Sequence, residues 1–210
     1  MEEPSKGRPR PRIESLSDLI FGLALSIGAF ALVSTPASNA FEFYKDIGTF
    51  GFTFLVLITV WIRYTRVMST LPVETPATLL LNIVLLFTVS LEPYIFNVLR
   101  LTNITTPITQ VTAKLFETAS SAYGVDLGAM MLIMGVFTLA LSNEEKQLVP
   151  STMLSHLRTE ATLWFVSCAI FLLSALPLFG RVDVGGVLVS GLSARMVMWL
   201  LAILITWAKR

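Results

Sequence analysis

At 210 residues the chain has room for one domain of ordinary size, and 54% hydrophobic residues with a mean hydropathy of +0.75 exclude an ordinary soluble composition. One Cys and one His exclude an internal disulfide and leave too few soft ligands for the usual structural zinc sites, and a net charge of +1 gives no sign of a nucleic-acid partner. What remains is a helical bundle in a lipid bilayer. Residues 1–11 read as a mobile cytoplasmic tail, basic and proline-containing but not followed by the small-residue cleavage site of a signal peptide. Residues 12–210 read as one transmembrane domain.

A crossing needs roughly 20 largely apolar residues, so gaps between charges serve as a ruler. They predict six spans and an all-α, polytopic fold. The first lies between Asp18 and Glu42 and ends near Ser34, before Pro36. The second runs from about Ile47 to Met68, with Arg63 and Arg66 placed to snorkel from its last turns. The third starts after Pro76 and carries Glu92-Pro93 late. The fourth covers about Ala119 to Leu141, the fifth Ala161 to Phe179 and the sixth about Gly186 to Trp207. No second copy of the opening pattern occurs.

Lysines and arginines accumulate on the cytoplasmic side of membrane proteins. With the N-terminus inside, Lys6, Arg8, Arg10, Arg12, Arg63, Arg66, Lys146, Arg158, Lys209 and Arg210 fall inside, against Lys45, Arg100, Lys114 and Arg181 outside. That balance predicts a multi-pass protein of the cell membrane with both termini cytoplasmic, which an even number of spans requires. Trp61, Trp164, Trp199 and Trp207 lie within or at the ends of spans, where aromatic belts would take at least some of them.

These directions sort the polar residues by depth. Ser17, Asp18, Trp61, Tyr64 and Asn82 share the inner part of the membrane, where a carboxylate, hydroxyls, an amide and an indole can satisfy one another, as burial demands. Such a network serves equally to lock three helices together or to take part in transport. At the outer depth Glu92, Asp126 and Arg195 collect; Arg195 is expected either to pair with one of those carboxylates or to snorkel outward. On the first helix, at about 100° per residue, Leu19, Ser26, Phe30 and Leu23 fall within an arc of about 60°. Gly22, Ala24, Gly28, Ala29 and Ala31 lie partly on the opposite surface, small enough for other helices to approach.

The opening RIESLSD, residues 12–18, resembles the R-x-x-x-F-S-D signature of the first helix in the transmembrane protein 175 family, the endolysosomal potassium channels and their prokaryotic relatives. Arg12, Ser17 and Asp18 match, and Leu16 replaces the family's Phe. WIRY at 61–64 is similar to the family's W-x-x-H, with Tyr64 where His is usual. Asn82 with Pro93 resembles its third-helix pattern. Six spans with one copy of the signature fit the prokaryotic branch. The resemblance implies a homotetramer whose first helices line a central pore, without the TVGYG filter that this sequence also lacks. By position, Leu23 falls at the family's hydrophobic constriction, Ser26 at a hydroxyl layer and Phe30 at the next layer outward, with K+ passing transiently near Leu23 and Ser26. Phe30 either narrows the outer pore or turns aside.

The implied function is passive, potassium-selective cation flux, with no enzymatic chemistry and no cofactor beyond the permeant K+. The rival is a proton-coupled transporter using Asp18, Glu92 and Asp126, against which stands the lack of an inverted repeat and of paired Gly/Pro-broken helices. An intramembrane hydrolase is weaker still, since His156 and Ser190 fall on opposite faces of the membrane.

Overall fold

The computed structural model describes residues 12–34, 37, 39–71, 75–102, 110–143, 149–179, 181–184, 187–190 and 192–207; the tail expected at 1–11 and the side chain of Arg12 lie outside this description. Six helices follow in chain order: α1 Arg12–Ser34, α2 Ala40–Met68, α3 Pro76–Thr102, α4 Gln110–Leu141, α5 Ser151–Ser174 and α6 Leu192–Trp207. The first five are long and apolar enough to cross a membrane, and α6 is a shorter apolar helix of 16 residues. Among the described residues the fold is all-α apart from one small hairpin, in which β1 Arg181–Val184 pairs antiparallel with β2 Val187–Ser190, Val184 opposite Val187.

Several helix limits differ from those set by charge spacing, because helices end at caps rather than at the edge of hydrocarbon. Asn39 accepts from the Glu42 amide at 2.9 Å and starts α2 at Ala40, ahead of the expected Ile47. The Thr75 hydroxyl accepts from the Thr78 amide at 3.3 Å, and Pro76 follows in the first helical position, where its missing N–H costs nothing. α4 begins at Gln110, well before the apolar run, and α5 begins at Ser151 and stops at Ser174, where the Ala175 amide folds back on the Phe171 and Leu172 carbonyls. The sixth span does not begin at Gly186: Val187–Ser190 pair as a strand, and helix starts only at Leu192.

α4 is the hub of the bundle. Tyr123, Leu127, Met130, Met134 and Phe137 are all buried, at helical spacing, and its other face is buried against α5. That second face is a glycine seam. A Cβ on Gly124 would stand 3.0 Å from the Ser174 hydroxyl and 3.1 Å from the Phe171 carbonyl oxygen, one on Gly128 2.9 Å from Leu172, and one on Gly135 2.8 Å from Phe165. Gly124 and Gly128 are four apart, so both reach the same neighbour and let the two backbones touch, as small residues do between membrane helices. α1 is the opposite case, at the edge of the bundle. Ser17, Phe21, Ala24, Gly28 and Ala31 form its buried side, while Leu19, Leu23, Ser26 and Phe30 face away.

Replacing Gly124 by Ala is expected to lower stability by about 1–3 kcal/mol through overpacking against a backbone carbonyl. Gly48→Ala, where nothing lies within 4 Å, should be neutral or stabilising by up to about 1 kcal/mol. Thermal unfolding of the two purified variants in detergent checks the contrast.

Candidate functional site

At the end of the bundle where α1 begins, α2 ends and α3 begins, one polar chain crosses three helices. The Ser17 and Tyr64 hydroxyls lie 2.7 Å apart, and the Tyr64 hydroxyl donates to Asn82 Oδ1 at 2.8 Å. Since Tyr64 has a single proton and gives it to Asn82, Ser17 is the donor in the other bond. All three residues are fully or almost fully buried. One residue along α1, Asp18 Oδ1 accepts from the Trp61 indole nitrogen at 2.9 Å. The structure thus brings Ser17, Asp18, Trp61, Tyr64 and Asn82 together. Phe21, one turn further along α1, lays its ring 5.8 Å from that of Tyr64.

The same stretch of α2 also reaches the second half of the chain. Arg63 does not snorkel: it is buried and pairs with Glu160 of α5 at 2.5 Å, whereas Arg66 is exposed. The Thr59 hydroxyl accepts from the Trp207 indole of α6 at 3.1 Å. Between Thr59 and Tyr64, α2 is therefore bonded to α1, α3, α5 and α6. Charge spacing places Glu160 just outside a span starting at Ala161 and so conceals it as a partner; the extension of α5 back to Ser151 puts Glu160 well within the helix.

At the opposite end, the expected pairing of Arg195 with Glu92 or Asp126 does not occur, and neither does outward snorkelling. Arg195 is buried; it donates to the Ser120 hydroxyl and, at 3.3 Å each, to the carbonyls of Glu117 and Leu176. The reason is which helices are neighbours: α6 enters beside the start of α4 and the end of α5, so its guanidinium meets their carbonyls. Glu92 is held by Tyr123, whose hydroxyl donates to it at 3.0 Å and stands 2.9 Å from that of Thr53. The Trp199 indole crosses Tyr123 edge-on at 5.0 Å and donates to the Ser174 hydroxyl at 2.8 Å. Trp199 and Trp164 are thus interior residues rather than belt residues.

The stripe on α1 lies on the outer surface of the bundle. Leu19 is 67% exposed, Leu23 57% and Phe30 70%. Ser26, also exposed, donates its hydroxyl proton to the Gly22 carbonyl at 2.8 Å, which leaves its oxygen lone pairs directed away from its own helix. His156 is exposed on α5, and Ser190 ends β2.

Fold and site together define a polytopic membrane protein with a buried polar clamp on its first three helices and an unpartnered stripe on the first. Residues 12–93, which hold α1, α2 and most of α3, match the family model described as endosomal/lysosomal potassium channel TMEM175. By sequence that region, and not the rest of the chain, is similar to this family. Over 94% of this chain and 96% of the other, the structure superposes with a TM-score of 0.61 and 16% identity on a lysosomal potassium-selective channel TMEM175 homolog from Chamaesiphon minutus. It matches a point variant of the potassium channel MtTMEM175, solved with a nanobody fusion, with a TM-score of 0.61 and 17% identity over 99% and 96% of the two chains. No curated protein matches by sequence. The chain therefore shares the fold of these two structures well beyond the region matched by sequence.

Tyr64→Phe removes both bonds at once and takes from the buried Asn82 carbonyl the hydroxyl that donates to it; a loss of about 1–3 kcal/mol is expected. In a double-mutant cycle, Ser17→Ala should cost clearly less in the Tyr64→Phe background than alone, measured by thermal unfolding.

Proposed function

We propose that this protein is a potassium-selective channel, a homotetramer in which four copies of α1 surround a pore that lets K+ run down its electrochemical gradient. The observation that carries this reading is the two-sidedness of α1: its buried side is locked by Ser17, Asp18 and Phe21, and its free side presents Leu19, Leu23, Ser26 and Phe30 in one line. The family match over residues 12–93 and the fold shared with two potassium channels support it.

Cyclic symmetry turns each of these residues into a ring. A ring of Leu23 makes a dry neck, which blocks ions by dewetting when narrow and admits a partly dehydrated ion when wider. Potassium gives up water more readily than sodium, and the Ser26 oxygens, with their own protons turned to Gly22, are free to accept the ion in place of part of its shell. Phe30 forms the next ring outward. Asp18 holds the helix through Trp61 and is not an ion ligand. Both termini lie in the cytoplasm, in keeping with the lysine and arginine distribution.

The reversal potential of purified protein in a planar bilayer, potassium on one side and sodium on the other at matched pH, tests the reading. The expected current reverses at a potassium-favouring voltage; absence of conductance, or flux only under a proton gradient, overturns the reading. Leu23→Ala should raise leak and shift the reversal potential toward zero. Asp18→Asn should instead lower the yield of assembled tetramer while the selectivity of what assembles stays the same.

A further inference from the structure

Glu92 of α3 and Asp126 of α4 lie inside the bundle, 0% and 5% exposed, and the proposed pore uses neither. Glu92 Oε1 accepts from Tyr123, but Glu92 Oε2 and Asp126 Oδ2 are buried with no hydrogen-bond partner among the described residues. Asp126 stands three residues beyond Tyr123 on α4, so it shares the helix face whose hydroxyl holds Glu92. The groups that face them are the Thr53 hydroxyl from α2, the Tyr123 hydroxyl from α4 and, packed on Tyr123, the Trp199 ring from α6. The nearby cation on α6, Arg195, is directed to Ser120 and to the Glu117 and Leu176 carbonyls. Among the described residues no lysine, arginine or histidine bonds to either carboxyl.

Two ionised carboxyls in such an interior lack the opposite charge that burial requires. All the surrounding donors are hard oxygens, two carboxyls and two hydroxyls, a set suited to a proton or an alkali-metal ion and not to a soft metal. We propose that Glu92 and Asp126 form a binding site for one monovalent cation, a proton or an alkali-metal ion, between α2, α3 and α4 and apart from the stripe on α1. Thr53, through Tyr123, fixes the Glu92 carboxyl so that its second oxygen is available to the ion. The site is independent of whether the chain conducts.

The test follows the melting temperature of the purified protein by tryptophan fluorescence. One series exchanges choline for K+ or Na+ at fixed pH and ionic strength; the other varies pH in choline. The melting temperature should rise by about 3–6 °C for each tenfold increase, above its dissociation constant, in whichever cation the site takes. An alkali response identifies an alkali ion, an acid response a proton. That part of the slope should vanish in Glu92→Gln, which keeps the acceptor for Tyr123, and in Asp126→Asn. Potassium held in a pore would act equally in both variants, so the difference from the unmutated protein is the measure. Flat series, or slopes unchanged in the variants, overturn the proposal. Infrared spectra of the unmutated protein decide the matter even if the variants do not fold. A protonated-carboxyl band, or a carboxylate band that moves with K+ or Na+, supports the site, and neither rules it out. A cation-dependent slope in a protein without conductance would retain this site and remove the channel reading.

Discussion

The Tyr64 hydroxyl is the joint on which the first half of this protein depends. In hydrocarbon a polar group has no water to fall back on, so a hydroxyl that accepts from α1 and donates to α3 ties the positions of both helices to its own. The ring beneath it packs on Phe21, and Trp61 secures Asp18 beside it. One face of α1 is thereby fixed in rotation as well as in place, and the other face is determined as a consequence: Leu19, Leu23, Ser26 and Phe30 must look outward. A tyrosine performs this bridging without ever becoming a cation near neutral pH, which a histidine at the same position can do.

α2 passes that constraint to the rest of the chain. Its residues Thr59 to Tyr64 face four helices within little more than one turn, with a partly buried ion pair to α5 and an indole bond from α6 added to the signature contacts. The second half is built differently. Its rigidity comes from close backbone approach along Gly124, Gly128 and Gly135 and from polar side chains that bond to carbonyls, as Ser167 does to Ala202 and Arg195 to Glu117 and Leu176. Hydrogen bonds of the first half orient the outward stripe of α1, whereas close packing holds the second half together.

How much of this is legible in the sequence follows from what sequence encodes. Depth in the membrane is legible, because charge spacing and span direction give it, and depth alone brings Ser17, Asp18, Trp61, Tyr64 and Asn82 to one level. The α1 stripe is legible from helical period. The azimuth of each helix is not: Arg195 and Asp126 do share a depth, yet which helices flank α6 decides that the guanidinium meets carbonyls instead. Arg63 and Glu160 escape for the same reason, compounded by a span limit set one residue past Glu160. Two further signals carry their own physics: G-x-x-x-G at 124–128 marks a close helix contact, and Gly-Gly at 185–186 between valine-rich segments is a hairpin signal in the sequence where charge spacing alone extends the last span.

The brevity of α6 bears on the membrane around it. Sixteen residues span about 24 Å, some 6 Å less than an average hydrocarbon core. Val197, Leu200, Leu201 and Leu204 of this helix face outward. Where they border lipid, acyl chains must shorten or splay to meet them, at a cost of a fraction of a kcal/mol per Å.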